Sequence, residues 1–177
     1  CIFIGSDFKT GTIKNVASKG IKRPEIVLSK LIWNFILAIA FMILSVLSGL
    51  IAVILFTKTS IKSDDLVEII KLTAIAILAL CAFASIFTLI SFMVKSSGAA
   101  IAISIIVSLV LNVIVSLLET IFFKSGNLSR LFPFFISNIT GGGATQKSTT
   151  IFIIAMFVWI IVCSVLSILF FQKQDIK

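Results

Sequence analysis

The sequence predicts an all-α integral membrane protein, a polytopic helical bundle with four complete transmembrane helices. The chain has 177 residues, of which 59% are hydrophobic, and its mean hydropathy is +1.25. A soluble domain of this size has too little interior to bury so much apolar surface. The sequence also has four apolar runs, each at least as long as the roughly 20 residues that the hydrocarbon core requires. These predicted spans are 31–56, 69–94, 99–123 and 151–171.

The residues before the first complete span divide into two parts. Residues 1–8 begin with an apolar run and are interpreted as the end of an earlier, truncated span. Residues 9–23 are polar and basic, with Ile13 and Val16 on one side at helical spacing, which predicts a short amphipathic helix. Such a segment contacts either a protein partner or anionic lipid headgroups, and its residues alone leave both possibilities open.

The first complete span is the membrane part of a longer helix. Pro24 is preorganised for a first helical position, and the carboxylate of Glu25 suits the helix dipole, so a helix is predicted to start at Pro24. No breaker follows until about Phe56, which gives about 33 residues or roughly 50 Å. Its first two turns are therefore expected to stand in water as a stalk.

The third span has the most ordered polar pattern. Small and polar side chains recur at about every fourth position, a spacing that usually makes a helix–helix seam and is also compatible with a polar lining of a substrate path. Glu119 is the only carboxylate within a predicted span, and it is expected to face protein or water in a structural role. The candidate seam or pathway residues are Ser104, Ser108, Asn112, Ser116 and Glu119.

The distribution of Lys and Arg predicts the orientation. If the N-terminal segment, the turn at 95–98 and the tail from Gln172 lie inside, that side carries nine of the fifteen basic residues. Cytoplasmic loops are enriched in Lys and Arg near the spans. We therefore expect a multi-pass protein of the cell membrane with both termini in the cytoplasm.

The composition argues against catalysis and against cofactors. The chain has no His, and its three cysteines are far apart in sequence, so neither a metal site nor an intramembrane protease or lipid transferase is indicated. The glycine run before Lys147 lacks the glycine that a phosphate-binding loop needs next to its lysine, because Gln146 stands there. The charge of +8 does not indicate nucleic acid, since the basic residues flank apolar spans.

The stretch 7–32 carries a resemblance. It reads as an acidic residue before a G-T-I-K-N motif, followed by an I-x-R-x-x-I-x-L-x-K-L-I run. The matching residues are Asp7, Gly11, Thr12, Ile13, Lys14, Asn15, Arg23, Ile26, Leu28, Lys30, Leu31 and Ile32. In this stretch the chain resembles permease subunits of type-two ABC exporters, particularly bacterial lantibiotic and bacitracin exporter or immunity permeases. Elsewhere only the number and order of the spans agree.

This resemblance implies a function, two partners and a docking surface. Residues 9–23 would form the cytoplasmic elbow that touches a separate ATPase subunit, and a second permease copy or a paralogue would complete the transporter. The exported substrate would be a peptide antibiotic, a drug or a lipid-like molecule, which connects the protein to antibiotic resistance. The expected docking residues are Thr12, Lys14, Asn15, Lys22, Arg23 and Glu25. Compared with the family pattern, the leading span and most of the next one are missing, so we expect an N-terminally truncated chain.

The loop 124–150, predicted to be external, has an apolar centre that is too short to cross the membrane. The residues Leu131 to Ile136 are interrupted by Pro133. The resemblance implies a short re-entrant helix here, which protein must cover because its broken backbone cannot face lipid. From the residues alone, an aromatic-rich helix at the membrane interface is an equal alternative.

The sequence also allows a second function. A small channel, or an accessory polytopic membrane protein without an ATPase partner, would show the same spans. Only the resemblance in the elbow stretch favours the exporter subunit.

Overall fold

The computed structural model describes residues 2–10, 12, 22–57, 63–94, 96–123, 131–133, 136 and 146–173. In these ranges the regular structure is helical, and no strand occurs in them. The helices are α1 (Ile2–Lys9), α2 (Arg23–Thr57), α3 (Ser63–Val94), α4 (Ser97–Leu118) and α5 (Gln146–Lys173). A π-helical turn, Glu119–Phe123, continues α4.

Four of these helices are long and apolar enough to cross a membrane. Their candidate spans are Arg23–Phe56, Leu66–Val94, Ser97–Ile121 and Ser148–Gln172. This confirms the predicted class, a helical membrane protein with four long apolar helices. The helices α2 and α3 begin before the predicted spans at 31 and 69, because a helix can extend into water while the sequence prediction counts only its apolar part.

A cluster of buried apolar residues shows which helix ends lie together. We call it the basal cluster; it consists of Ile4, Ile26, Val27, Leu31, Phe92 and Phe171. It joins α1 to the start of α2 and to the ends of α3 and α5, and the rings of Phe92 and Phe171 have their centroids 5.1 Å apart. Because the start of α2 meets the ends of α3 and α5, α2 runs opposite to α3 and α5, which are parallel to each other. The side of the bundle that carries this cluster is called the basal end below.

A second cluster holds α3 and α5 together further from the basal end. Ala79 and Ala82 of α3 pack against Phe152 and Met156 of α5, and all four are buried. The small alanine side chains leave the space that the phenylalanine and methionine fill. This central cluster makes α3 and α5 the closely packed pair of the bundle.

The other two spans contribute mainly outer surface. In the most apolar 18-residue stretch of α2 no residue is buried, and in that of α4 11% are, compared with 39% in α3. In a soluble protein these exposed apolar faces would be unusual, whereas hydrocarbon is their ordinary environment in a bilayer. The helix α3 is therefore the centre of the bundle, and α2 and α4 present apolar faces at its outside.

The first helix approaches α4 at backbone distance. A Cβ atom added at Gly5 would lie 2.5 Å from both the Cα and the backbone nitrogen of Ser97. Real Cβ contacts of this length do not occur, and backbone atoms cannot rotate away as a flexible side chain can. Only glycine at position 5 lets α1 pack on the start of α4.

This close contact predicts the effect of adding a methyl group. Gly5→Ala is expected to lower the free energy of unfolding by about 1–3 kcal/mol, because the new methyl group overlaps the backbone of α4. The matched control is Gly98→Ala, where nothing lies within 4 Å of the added Cβ. That variant should unfold at the wild-type temperature or slightly above it, since alanine is the better helix former. Thermal unfolding in mild detergent measures both variants, and an equal midpoint for the two would contradict the contact.

Candidate functional site

An ion pair joins the helices on either side of the predicted elbow, residues 9–23. Lys30 Nζ of α2 forms a salt bridge with Asp7 Oδ2 of α1, and their side chains are 28% and 18% exposed. Among the described residues, Lys30 supplies the only partner of that carboxylate oxygen. Asp7 precedes the segment 9–23 and Lys30 follows it by about two helical turns, so the ion pair joins the two helices that flank this segment.

Arg23 connects the start of α2 to the end of α5. Its Nη1 donates hydrogen bonds to the carbonyl oxygens of Gln172, at 2.9 Å, and Phe171, at 3.5 Å. The last carbonyls of a helix have no partner within the helix, and a cation there also interacts favourably with the helix dipole. The structure thus places this predicted docking residue, half-buried, against α5.

The other predicted docking residues are exposed or lie outside the described residues. The side chains of Lys22 and Glu25 are exposed, and the backbone N–H of Glu25 donates to the Lys22 carbonyl at 3.0 Å. Thr12 is exposed, with its hydroxyl 2.8 Å from that of Thr10. Lys14 and Asn15, like most of the predicted amphipathic helix, lie outside the described residues. Lys22 and Glu25 therefore offer one charge of each sign to a partner.

The polar stripe of α4 lies on the more buried side of that helix. Ser104 is buried, Ser108 and Asn112 are half-buried, and Ser116 is exposed. Ser104 and Ser108 donate to carbonyls of their own helix, and Asn112 Nδ2 donates to the Ser108 carbonyl at 3.1 Å. Such bonds within the helix satisfy hydroxyl groups without a second helix. The stripe meets protein most closely at Ser104, near the contacts of α4 with α1 and α3.

Glu119 marks the change from α helix to π turn. It is half-buried, and its backbone N–H bonds to the carbonyls of both Val115 and Ser116. Short π-helical turns within α-helices often occur at functional sites. Lys124 and Arg130, the basic residues that follow Glu119 in the sequence, lie outside the described residues.

A hydrogen bond between α2 and α3 was not predicted from the sequence. Asn34 Nδ2 donates to Thr88 Oγ1 at 2.8 Å, and Thr88 donates in turn to the Ala84 carbonyl. Asn34 is the single amide side chain in the span 31–56, which is a signal that the sequence contained. A polar side chain in an apolar span needs a hydrogen-bond partner in the protein, because lipid offers none, and Asn34 finds its partner on α3.

A short segment outside the helices contacts the middle of α5. Trp159 Nε1 donates to the carbonyl of Leu131 at 2.8 Å, and the Phe132 ring lies 5.8 Å from the Trp159 ring, measured between centroids. Pro133 is buried. Trp159 stands about midway between Lys147 and Lys173, which flank the apolar part of α5. The segment 131–133 therefore meets α5 near the middle of its span.

Comparison with protein families gives a family and no activity. Residues 2–177 match the family model described as "Protein of unknown function (DUF2705)". The chain belongs to the DUF2705 family. No curated protein and no solved structure matches it. Within the described ranges of this DUF2705 protein, no three His, Cys, Asp or Glu residues are grouped as a metal site would require.

The ion pair of this DUF2705 protein can be measured by a double-mutant cycle. Asp7→Asn and Lys30→Gln, singly and together, should give a coupling of about 1 kcal/mol, the upper range for exposed pairs, because both groups are partly sheltered. Unfolding in mild detergent supplies the free energies. The control combines Asp7→Asn with Lys71→Gln, an exposed lysine of α3, and should be additive. Additivity in the Asp7 and Lys30 cycle would contradict the ion pair.

The contact between Asn34 and Thr88 is open to the same measurement. Asn34→Leu and Thr88→Val are expected to couple by roughly 0.6 to 1.7 kcal/mol, the range measured for hydrogen bonds between membrane helices. Ser48 is the control, because its exposed hydroxyl bonds only to the Ser45 carbonyl of its own helix. Ser48→Ala with Thr88→Val should show no coupling. Equal coupling in the two cycles would refute the interhelical bond.

Proposed function

We propose that this chain is the membrane-spanning permease subunit of an ATP-driven ABC exporter, with ATP hydrolysis carried out by a separate subunit. The observation that carries the proposal is the ion pair between the helices on either side of the segment 9–23. Asp7 of α1 and Lys30 of α2 bring these two helices together. This contact supports an elbow whose two flanking helices stay joined while a partner binds it.

The hydrogen bonds of Arg23 give a route by which movement of the elbow would reach α5. A partner that moves the elbow acts on the start of α2 and, through the hydrogen bonds of Arg23, on the end of α5. Since α5 packs along α3, the displacement changes how α2 and α5 lie against α3. Alternating access of this kind is a small rigid movement between two packings of the same helices. It would release a peptide antibiotic, a drug or a lipid-like substrate along an apolar path.

The same geometry supports the proposed orientation and partners. The basal end carries the elbow with its cluster of Lys and Arg, and the rule that positive loops stay inside assigns this end to the cytoplasm, where an ATPase is found. The exposed apolar faces of α2 and α4 leave room for a second permease copy or a paralogue. On the side away from the basal end, the contact of Leu131 with Trp159 supports a re-entrant segment rather than an interfacial helix.

The docking surface is tested by charge reversal at Lys22. The complete reading frame is expressed with a tag in its native membrane, extracted in mild detergent, and its co-purifying proteins are identified by mass spectrometry. Wild-type protein should bring down an ABC ATPase in stoichiometric amount. Lys22→Glu should recover at least about tenfold less ATPase, because like charges facing each other across an interface cost several kcal/mol. Lys22 is preferred to Arg23, whose reversal would also disturb the end of α5.

The control is Lys71→Glu, the same reversal on an exposed lysine of α3 far from the basal end. It should recover the wild-type amount of ATPase. ATPase recovery that is unchanged in Lys22→Glu would refute docking at this residue. Intact, inserted wild-type protein without any ATPase would favour the small channel or accessory protein, with the elbow lying on lipid.

A further inference from the structure

An apolar groove lies between α5 and the segment 131–133. Its volume is about 570 Å³, and its walls are carbon almost throughout. This volume falls in the range of small-molecule pockets. The lining residues are Leu131, Phe132, Ile151, Ile154, Ala155, Val158 and Trp159.

The position of the groove across the membrane determines what surrounds it. Its wall on α5 runs from Ile151 to Trp159, about 12 Å of helix at 1.5 Å per residue. Trp159 stands near the middle of the span, so the groove occupies the half of the bilayer that is remote from the basal end. Ile154 and Val158 are more than half exposed in the chain alone, which opens the groove sideways into hydrocarbon.

The polar atoms at the groove satisfy each other. The indole N–H of Trp159 donates to the carbonyl of Leu131, so this donor is not left to bind a headgroup or a peptide backbone. A ligand with a polar group at this depth would lose its hydrogen bonds to water and gain none. The walls therefore select a ligand that is purely apolar over this length.

The size of the groove suits a hydrocarbon chain. A volume of about 570 Å³ along about 12 Å of α5 is sufficient for a single chain that lies parallel to the helix.

We propose that this groove is a binding site for the hydrocarbon chain of a lipid or lipid-like molecule. The chain lies along α5 from Ile151 to Trp159 and packs against the indole ring, while its headgroup stays at the membrane surface beyond the start of α5. The site depends on the insertion of α5 and not on an ATPase, so its test and the docking test fail separately.

Fluorescence of Trp159 tests the site directly. Trp33→Phe makes Trp159 the only tryptophan of the chain. This variant is reconstituted into vesicles of phosphatidylcholine and phosphatidylglycerol, with or without bromine in the middle of the acyl chains, since bromine quenches indole on contact. A chain in the groove should quench Trp159 strongly. Trp159→Phe, which keeps Trp33 on the exposed side of α2, reports quenching by bulk lipid.

Two substitutions at matched positions of α5 show where the quenching chain lies. Val158 lines the groove and Val162, one turn further, does not, and both are about half exposed. Val158→Phe fills the groove and should abolish most of the quenching of Trp159, whereas Val162→Phe should leave it unchanged. Ala155→Phe fills the groove from its floor as a second variant, and circular dichroism checks that each variant is folded.

Two results would overturn the proposal. Quenching that is equal in Val158→Phe, Ala155→Phe and Val162→Phe would mean that only bulk lipid reaches Trp159. An absence of quenching in the Trp33→Phe variant, with Trp33 quenched normally, would mean that protein covers the groove. Strong quenching that is lost in both filled variants and kept in Val162→Phe supports a chain in the groove.

Discussion

The inability of hydrocarbon to form hydrogen bonds governs this structure at every level. It requires each backbone polar group at membrane depth to find a partner in the protein, which an α-helix achieves within one segment. The same constraint acts on side chains. Buried hydroxyls on α3 and α5, such as Ser85, Ser91 and Ser167, each donate to a carbonyl of their own helix. Where a helix cannot satisfy its own groups, a second element supplies the partner, as Asn34 shows with Thr88 and Trp159 with Leu131.

The basal end is held together by different interactions because it lies near water. Charged side chains can stay hydrated there. Their ion pair and hydrogen bonds join elements that apolar packing alone would leave independent. The Asp7–Lys30 ion pair lies beside the basal cluster, and Arg23 contacts the end of the helix that supplies Phe171 to that cluster. Apolar packing supplies contact area, while the ion pair and the guanidinium fix which ends meet. The elbow is therefore attached to the bundle at three helices.

The fold was largely predictable from the sequence, and the site was predictable only in part. Apolar length and charged flanks are local properties, which is why four long apolar helices could be predicted. The partners of Asp7, Arg23 and Asn34 are not local. From the sequence, Arg23 would be expected to be a surface cation. Only because α5 runs antiparallel to α2 does the carbonyl of Gln172 come within 2.9 Å of it. Gly5 gave no signal either, since its role depends on the position of Ser97.

The helix α5 links the two regions that function would have to connect. Its last carbonyls accept the hydrogen bonds of Arg23, its first half packs on the alanines of α3, and its middle holds Leu131 through Trp159. A helix is stiff along its axis, so a displacement at the basal end reaches Trp159 as a shift or tilt of the whole element. The Leu131 carbonyl must keep a donor at that depth, and the segment 131–133 therefore follows Trp159. The groove wall formed by Leu131 and Phe132 would move together with α5, so the groove would keep its shape while its position relative to α3 changes.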